Sequence, residues 1–229
     1  MSDPGLILRE DMIEETVGET VWRRLRGDIL AGRLAPGKKL KLEALRERYG
    51  TSVGTLREAL NRLATEGLVI AEGQRGFEVT PVSVENLREI AELRLLVECQ
   101  ALDDSFRAGD VDWESRVVAA YHKLAAMEAR MEEGDFSALD LWKRYDWEFH
   151  QSLISACGSK VLKQLHGAVF DKYLRYQMIA LSFRGDIAAG EHRALLDCAL
   201  KRDAQEARRI LTDHLEGGMA HALATGTIG

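Results

Sequence analysis

Four residues in the C-terminal two thirds of the chain have the types and spacing to hold a metal ion: Asp146, His150, His192 and His214. Asp146 and His150 stand four apart, so on a helix they share one face with Cβ atoms about 5–6 Å apart. His150 falls among Phe149, Leu153 and Ile154 at helical spacing. His192 falls with Leu195, Leu196 and Ala199, and His214 with Ile210, Leu211 and Leu215. Three separate helices therefore each turn an imidazole toward the interior. A buried imidazole must be hydrogen-bonded or coordinated to offset its desolvation. A lone inward histidine is most often satisfied within the core. Three of them with an aspartate favour a shared divalent transition metal, with Zn²⁺ and Ni²⁺ the leading candidates, although affinity order alone does not choose among first-row ions. Coordination beyond four would leave positions open to a ligand carboxylate, and protonation of the histidines would weaken binding in acid.

Arg94 lies on an apolar stripe with Leu87, Ile90, Val97 and Ala101. An inward arginine can hold the second carboxylate of a small acid; the rival reading is an i,i+4 pair with Glu98. Tyr173, Arg175 and Tyr176 are candidates to line the same cavity. His122, His166 and His221 share no geometry with the cluster and read as structural or surface residues. A metalloenzyme is the competing use of the four ligands. Against it, Glu148 and Glu191 sit off the faces of His150 and His192, so no general base is placed beside them.

These residues must be positioned by helices. From residue 84 onward the pattern gives six, over about 84–108, 113–133, 137–156, 160–183, 187–201 and 204–223, with no strand signal. Each joint offers a Gly to stop one helix or an Asp or Ser to cap the next, as at Gly109-Asp110 and Gly158-Ser159. The N-terminal part differs. A helix over about Val17 to Ala31 repeats apolar residues at Val21, Leu25 and Ile29. A short helix from Leu42 to Tyr49 stops at Gly50. A second starts at Ser52, buries Leu56, Ala59, Leu60 and Leu63, and ends at Gly67. Two apolar runs, Leu68–Ala71 and Phe77–Thr80, flank a glycine-bounded turn and read as strands.

Helix, tight turn, helix and β-wing make a DNA-reading module. The first residues of the second helix meet base edges, and its flanks meet phosphates. The candidate contacts are Ser52, Val53, Gly54, Thr55, Arg57 and Arg62 on that helix. Lys41, Arg46 and Arg48 stand before it, and Arg75 and Gly76 stand at the wing tip. Arg57 suits a guanine edge or a phosphate, and Arg75 suits the minor groove.

Charge follows the same division. Residues 21–80 carry 12 Lys+Arg against 7 Asp+Glu, whereas residues 81–229 carry 18 against 24, within a chain of net charge −6. A basic head beside an acidic body suits nucleic-acid binding by the first and a regulatory role for the second. The 3 cysteines are widely spaced, without a CxxC, and read as reduced thiols. No run reaches the roughly 20 apolar residues of a membrane span, and residues 1–15 lack the pattern of a signal peptide. The expected organisation is a flexible leader at 1–15, a winged helix-turn-helix at 16–80 and an all-helical domain at 81–229, in a cytoplasmic, mainly α protein.

The run Leu34-Ala35-Pro36-Gly37-Lys38-Lys39-Leu40, then Leu45, then Thr55 to Val69 resembles the N-terminal domain of GntR-superfamily transcription regulators. Residues 84–223 resemble the helical ligand-binding domain of the FadR-type (FCD) branch. Metal-binding members of that branch carry an Asp-x3-His pair and two later histidines, which correspond here to Asp146, His150, His192 and His214. Val53-Gly54 and Glu43 depart from the residues common at those positions, so the family's usual operator half-site does not carry over. The resemblance implies a non-enzymatic homodimer that binds a palindromic double-stranded DNA operator, most naturally as a repressor controlled by a small carboxylate at the metal. The alternative within the same class drops the metal and binds a larger ligand such as an acyl thioester.

Overall fold

The structure, a computed structural model, describes residues 16–73, 76–180 and 183–228. The expected leader at 1–15 lies outside the described residues.

In the head, α1 (Val17–Leu30) is capped by the Thr16 hydroxyl and buries Val21, Leu25 and Ile29. Helix α2 (Leu42–Tyr49) ends where Gly50 takes φ +64°, a left-handed turn that favours glycine. Helix α3 (Val53–Thr65) starts on Ser52, whose Oγ accepts from the Thr55 amide at 3.1 Å, and buries the expected Leu56, Ala59, Leu60 and Leu63. The wing pairs β2 (Val69–Ala71) antiparallel with β3 (Phe77–Val79), in register Val69 to Val79 and Ala71 to Phe77. A strand absent from the sequence expectation, β1 (Lys39–Leu40), completes a sheet of order β1-β3-β2. Two residues carry too little periodicity to announce a strand. It exists because Leu40 joins the head's core and its backbone pairs with β3.

The body holds α4 (Val84–Ala108), α5 (Val111–Glu132), a 3-10 turn at Phe136–Ala138, α6 (Leu139–Leu153), α7 (Lys160–Ile179), α8 (Asp186–Lys201) and α9 (Ala204–Ala224). Ser83, Asp110, Ser159 and Asp203 cap four of these helices through side-chain oxygens. The expected helix at 137–156 divides into the 3-10 turn and α6, and α7 stops four residues before the expected 183. One core, from Leu87 to Ile228, runs through all six helices. Helix α4 packs on α7 and α9, α5 on α6 and α8, and α8 on α9.

Head and body meet along α1 and α7. Arg26 of α1 donates to Glu66, just past the end of α3, at 2.8 Å, and its other nitrogen pairs with Asp171 of α7. At the linker Arg175 donates to the carbonyl of Thr80, and the Tyr176 hydroxyl donates to Asn86 Oδ1 at 2.8 Å. Cys99, Cys157 and Cys198 are buried free thiols. Among the described residues no helix is long and apolar enough to cross a membrane.

Candidate metal centre and nucleic-acid interface

Helix α6 supplies Asp146 and His150 from adjacent turns of its buried face; α8 supplies His192 and α9 His214. One ligand atom from each of the four lies within 4.8 Å of the others. The imidazole centroids of His192 and His214 are 4.8 Å apart, and His150 stands 5.5 Å from His214 and 5.7 Å from His192. All four side chains are buried.

Each imidazole is anchored by its other nitrogen. His192 Nδ1–H donates to Glu128 Oε1 of α5 at 2.7 Å, and His214 Nδ1–H to Glu191 Oε2 of α8 at 2.7 Å. His150 Nδ1–H donates to Glu98 Oε1 of α4. These three carboxylates fix each ring so that Nε2 is the nitrogen left over. His150 Nε2 and His192 Nε2 are buried with no hydrogen-bond partner among the described residues. They lie 3.8 and 3.3 Å from Asp146 Oδ1. Buried nitrogens left orphaned are costly. Imidazoles oriented by outer carboxylates around an aspartate form the donor set of a first-row divalent ion. The residues present therefore fit a metal.

The electrostatics have the same character. Burial pushes His214 down to about 3, only partly opposed by Glu191, and burial likewise lowers His150 against the pull of Glu98. Both imidazoles are neutral, as ligands must be. Burial also opposes charge on His192, but Asp146 and Glu128 outweigh it and push that group up to about 9. Burial would raise the Asp146 carboxyl; His192, Lys143 and His150 instead hold it far below the usual carboxylate range.

Arg94 is buried and donates from Nε to Glu98 at 2.9 Å, so the i,i+4 pair exists. Its guanidinium stacks 4.0 Å from the Phe170 centroid, and its NH2 group has no hydrogen-bond partner among the described residues. Tyr173 is buried beside it and donates to the Leu215 carbonyl at 3.0 Å. Arg175 belongs elsewhere. It sits on the opposite side of α7, bonded to Thr80 at the head–body linker, so its expected place beside Arg94 is corrected. Two positions along a helix turn a side chain through about 200°, which separates Arg175 from Tyr173. His166 is a buried structural residue, 2.9 Å from Glu98 Oε2.

The carboxylates Glu98, Glu128 and Glu191 were not assigned a role at the metal from sequence. Glu128 falls on the apolar stripe of α5 with Val117, Ala120, Leu124 and Met131, and an acid on such a stripe is a readable sign of a buried partner. Glu191 neighbours His192 in the chain but serves His214, a pairing between helices that spacing does not reveal.

On the head, Lys41, Ser52, Gly54 and Arg57 are exposed, and Val53 and Thr55 half-buried, at the start of α3 and just before it. Ser52 Oγ and Thr55 Oγ1 are 3.0 Å apart, so one hydroxyl donates to the other. Arg46 pairs with Glu43 at 3.0 Å, Arg48 with Asp28 at 2.7 Å and Arg62 with Glu19 at 2.7 Å, the last also stacked 3.6 Å over Trp22. Arg57 makes no ion pair or hydrogen bond among the described residues. At the wing, Gly76 has φ +100°; Arg75 lies outside the described residues.

A helix-turn-helix head with a three-stranded wing, joined to a six-helix body with a buried histidine-aspartate centre, is the architecture of a DNA-binding regulator. Residues 17–79 match the gntR family of bacterial regulatory proteins, and residues 89–217 match the FCD domain. The chain belongs to the GntR family of transcriptional regulators, FCD branch. It is 38% identical over 204 residues to the HTH-type transcriptional regulator BphR of Paraburkholderia xenovorans (strain LB400), covering 88% of this chain and 83% of that one. It is 32% identical over 202 residues to the HTH-type transcriptional repressor GlaR of Escherichia coli (strain K12), covering 85% and 90%. Among solved structures, E. coli McbR/YncC shares the fold with a TM-score of 0.76 at 19% identity, over 92% of this chain and 99% of that one. These relatives are regulators and not enzymes, and the chain is a DNA-binding transcription regulator.

Proposed function

We propose that this regulator is a homodimeric repressor whose operator binding is controlled by a small carboxylate held at a divalent transition metal in the FCD domain. The carrying observation is the set of three imidazoles whose Nδ1 atoms meet Glu98, Glu128 and Glu191, with Nε2 of His150 and His192 at 3.8 and 3.3 Å from Asp146 Oδ1 and one ligand atom of His214 within 4.8 Å of the others. Asp146, His150, His192 and His214 would hold the ion. When bound, it supplies a Lewis-acidic anchor for an anionic oxygen. Arg94, whose NH2 has no hydrogen-bond partner among the described residues, is placed to receive a second acidic or hydroxyl group of the same ligand.

The path to DNA runs along α7. Its inner face carries Phe170, 5.5 Å from the His150 ring centroid, and Tyr173. Its outer face carries Asp171 and Arg175, which bind Arg26 and Thr80 of the head. Arg26 in turn holds Glu66 at the end of the recognition helix. A ligand that alters the packing of α7 changes the placement of α3, in proportion to its differential affinity for the two placements. The dimer reading draws on the apolar side chains Leu93 and Leu96 of α4 and Val161 and Leu165 of α7, exposed on neighbouring helices. Two symmetric heads require a palindromic operator. A relative named a repressor supports that sign of control.

The test is metal analysis of the purified chain together with a gel shift on the promoter next to its own gene. About one ion per chain, lost in His192→Ala and His214→Ala, with retardation relieved by small carboxylates, is the expected result. Retardation without any metal would favour the larger-ligand alternative. No retardation at low salt, with and without metal, sinks the regulator mechanism proposed here.

A further inference from the structure

Between the head and the body lies a crevice of about 410 Å³ for which the proposed metal site assigns no ligand. Its volume falls within the range of small-molecule sites, about 300–1,000 Å³. One wall is α1 with the turn after it; the other is α6 and α7. Leu30, Leu174 and Met178 make the lining apolar. Trp147 adds an indole face that remains 39% exposed. Trp147 follows Asp146 directly in sequence, so the helix that feeds the metal centre with one face presents this indole from another.

The polar part of the crevice is predominantly cationic. Arg144 is exposed and makes no ion pair or hydrogen bond among the described residues. Arg33 is half exposed across from it, with Asp28 as its one ion-pair partner among the described residues. Lys143 closes the inner wall, its Nζ donating to Gln177 Oε1 at 2.9 Å. The lining acids are Asp140 and Asp171, and Asp171 is already neutralised by Arg26. An apolar floor, an available indole face and an unpaired guanidinium together match an anion with a flat apolar body. Stacking on the indole and a charge-assisted bond to Arg144 would hold its two ends.

We propose that this crevice is a second ligand site, independent of the metal centre, that takes a flat aromatic carboxylate. Its walls belong to different domains, so an occupant stabilises the placement of the head in which α1 stands off α6 at this distance. Arg26, on the crevice wall, is bonded both to the end of the recognition helix and to α7, so occupancy bears on DNA affinity directly.

The experiment is isothermal titration of the full chain with 2-naphthoate as probe and 2-naphthalenemethanol as its uncharged counterpart. The expected result is saturable binding of one naphthoate per chain. It weakens about tenfold or more in Arg144→Glu, in Trp147→Ala and for the uncharged analogue, since each removes one charge-assisted or stacking contact. Both substituted side chains are exposed, and a thermal melt checks each fold. Leu174→Trp fills the floor without touching charge and abolishes binding. His192→Ala, and treatment with a metal chelator, leave binding within about twofold. The proposal is overturned by the absence of saturable binding, by equal affinity in Arg144→Glu, Trp147→Ala and Leu174→Trp, or by loss of binding on chelation, which would assign the naphthoate to the metal centre.

Discussion

The role of Glu128 at the proposed metal centre yields a quantitative prediction. Its Oε1 lies 2.7 Å from His192 Nδ1, and the two side chains are 2% and 1% exposed. Bulk solvent does not reach that bond, so the carboxylate sets the orientation of the ring. Loss of such an outer partner typically costs 10–100-fold in metal affinity, or about 1.4–2.8 kcal/mol. Glu128→Gln keeps an acceptor and loses the charge, which places it near the lower figure. Glu128→Leu keeps the volume and loses both, which places it near the upper one. With the metal in fixed excess over its Kd, the stability gained on loading falls by the same amount. For a chain of this size that shrinks the metal-induced rise in Tm by roughly 3–11 °C. A competition titration against a chromogenic chelator gives the affinity, and paired melts of apo and loaded protein give the stability. Each variant is compared with its own apo form, which separates the metal effect from any change in the fold. If both variants hold metal within twofold of the parent chain while remaining folded, His192 is not oriented as argued and the convergent-donor reading fails with it.

Other expectations concern the head and the body's joints. Arg57→Ala, which removes a free cation at the start of α3, should weaken operator binding and lower the salt slope by about one. Arg62→Ala should instead lower head stability with little change in that slope, because Arg62 is committed to Glu19 and Trp22; equal slopes for both variants would refute the distinction. Asp28 is held below its usual value because hydrogen bonds from Tyr49 and Arg33, with the Arg48 charge, outweigh burial. Its stabilisation is therefore present above the unfolded value near 3.8 and is lost as pH falls through the folded one. Asp28→Asn should be less stable at neutral pH and lose less on acidification to pH 3, read from urea melts; parallel acid limbs for the two proteins would contradict this. At Gly109 an added Cβ would lie 2.5 Å from the fully buried Trp113 ring, so Gly109→Ala should destabilise by about 1–3 kcal/mol in a thermal melt, and an unchanged Tm would show that the ring can yield.

How much of this was legible in the sequence depended on whether the information was local. Helix spans and their caps were readable because Ser52, Ser83, Asp110 and Ser159 act on amides three residues away. The α3 stripe was readable because burial along one helix follows its period. The four clustered side chains stood out because three polar rings on apolar stripes demand a common explanation. Strand β1 was not legible, since its pairing with β3 joins residues about forty apart in the chain. Nor was the true position of Arg175, which depends on which side of α7 the head approaches.

By itself the sequence determined the two-part architecture, the recognition helix and the identity of the four convergent side chains, all of which follow from periodicity, capping and residue type. Only the tertiary structure decided which glutamate holds which imidazole, that Glu98 also gathers Arg94 and His166, and that Arg26 ties the recognition helix to α7. The physical reason is reach. A carboxylate acts over about 3 Å, so its partner is fixed by how helices dock. Docking is set by the packing of the whole core, to which no single stretch of sequence has access.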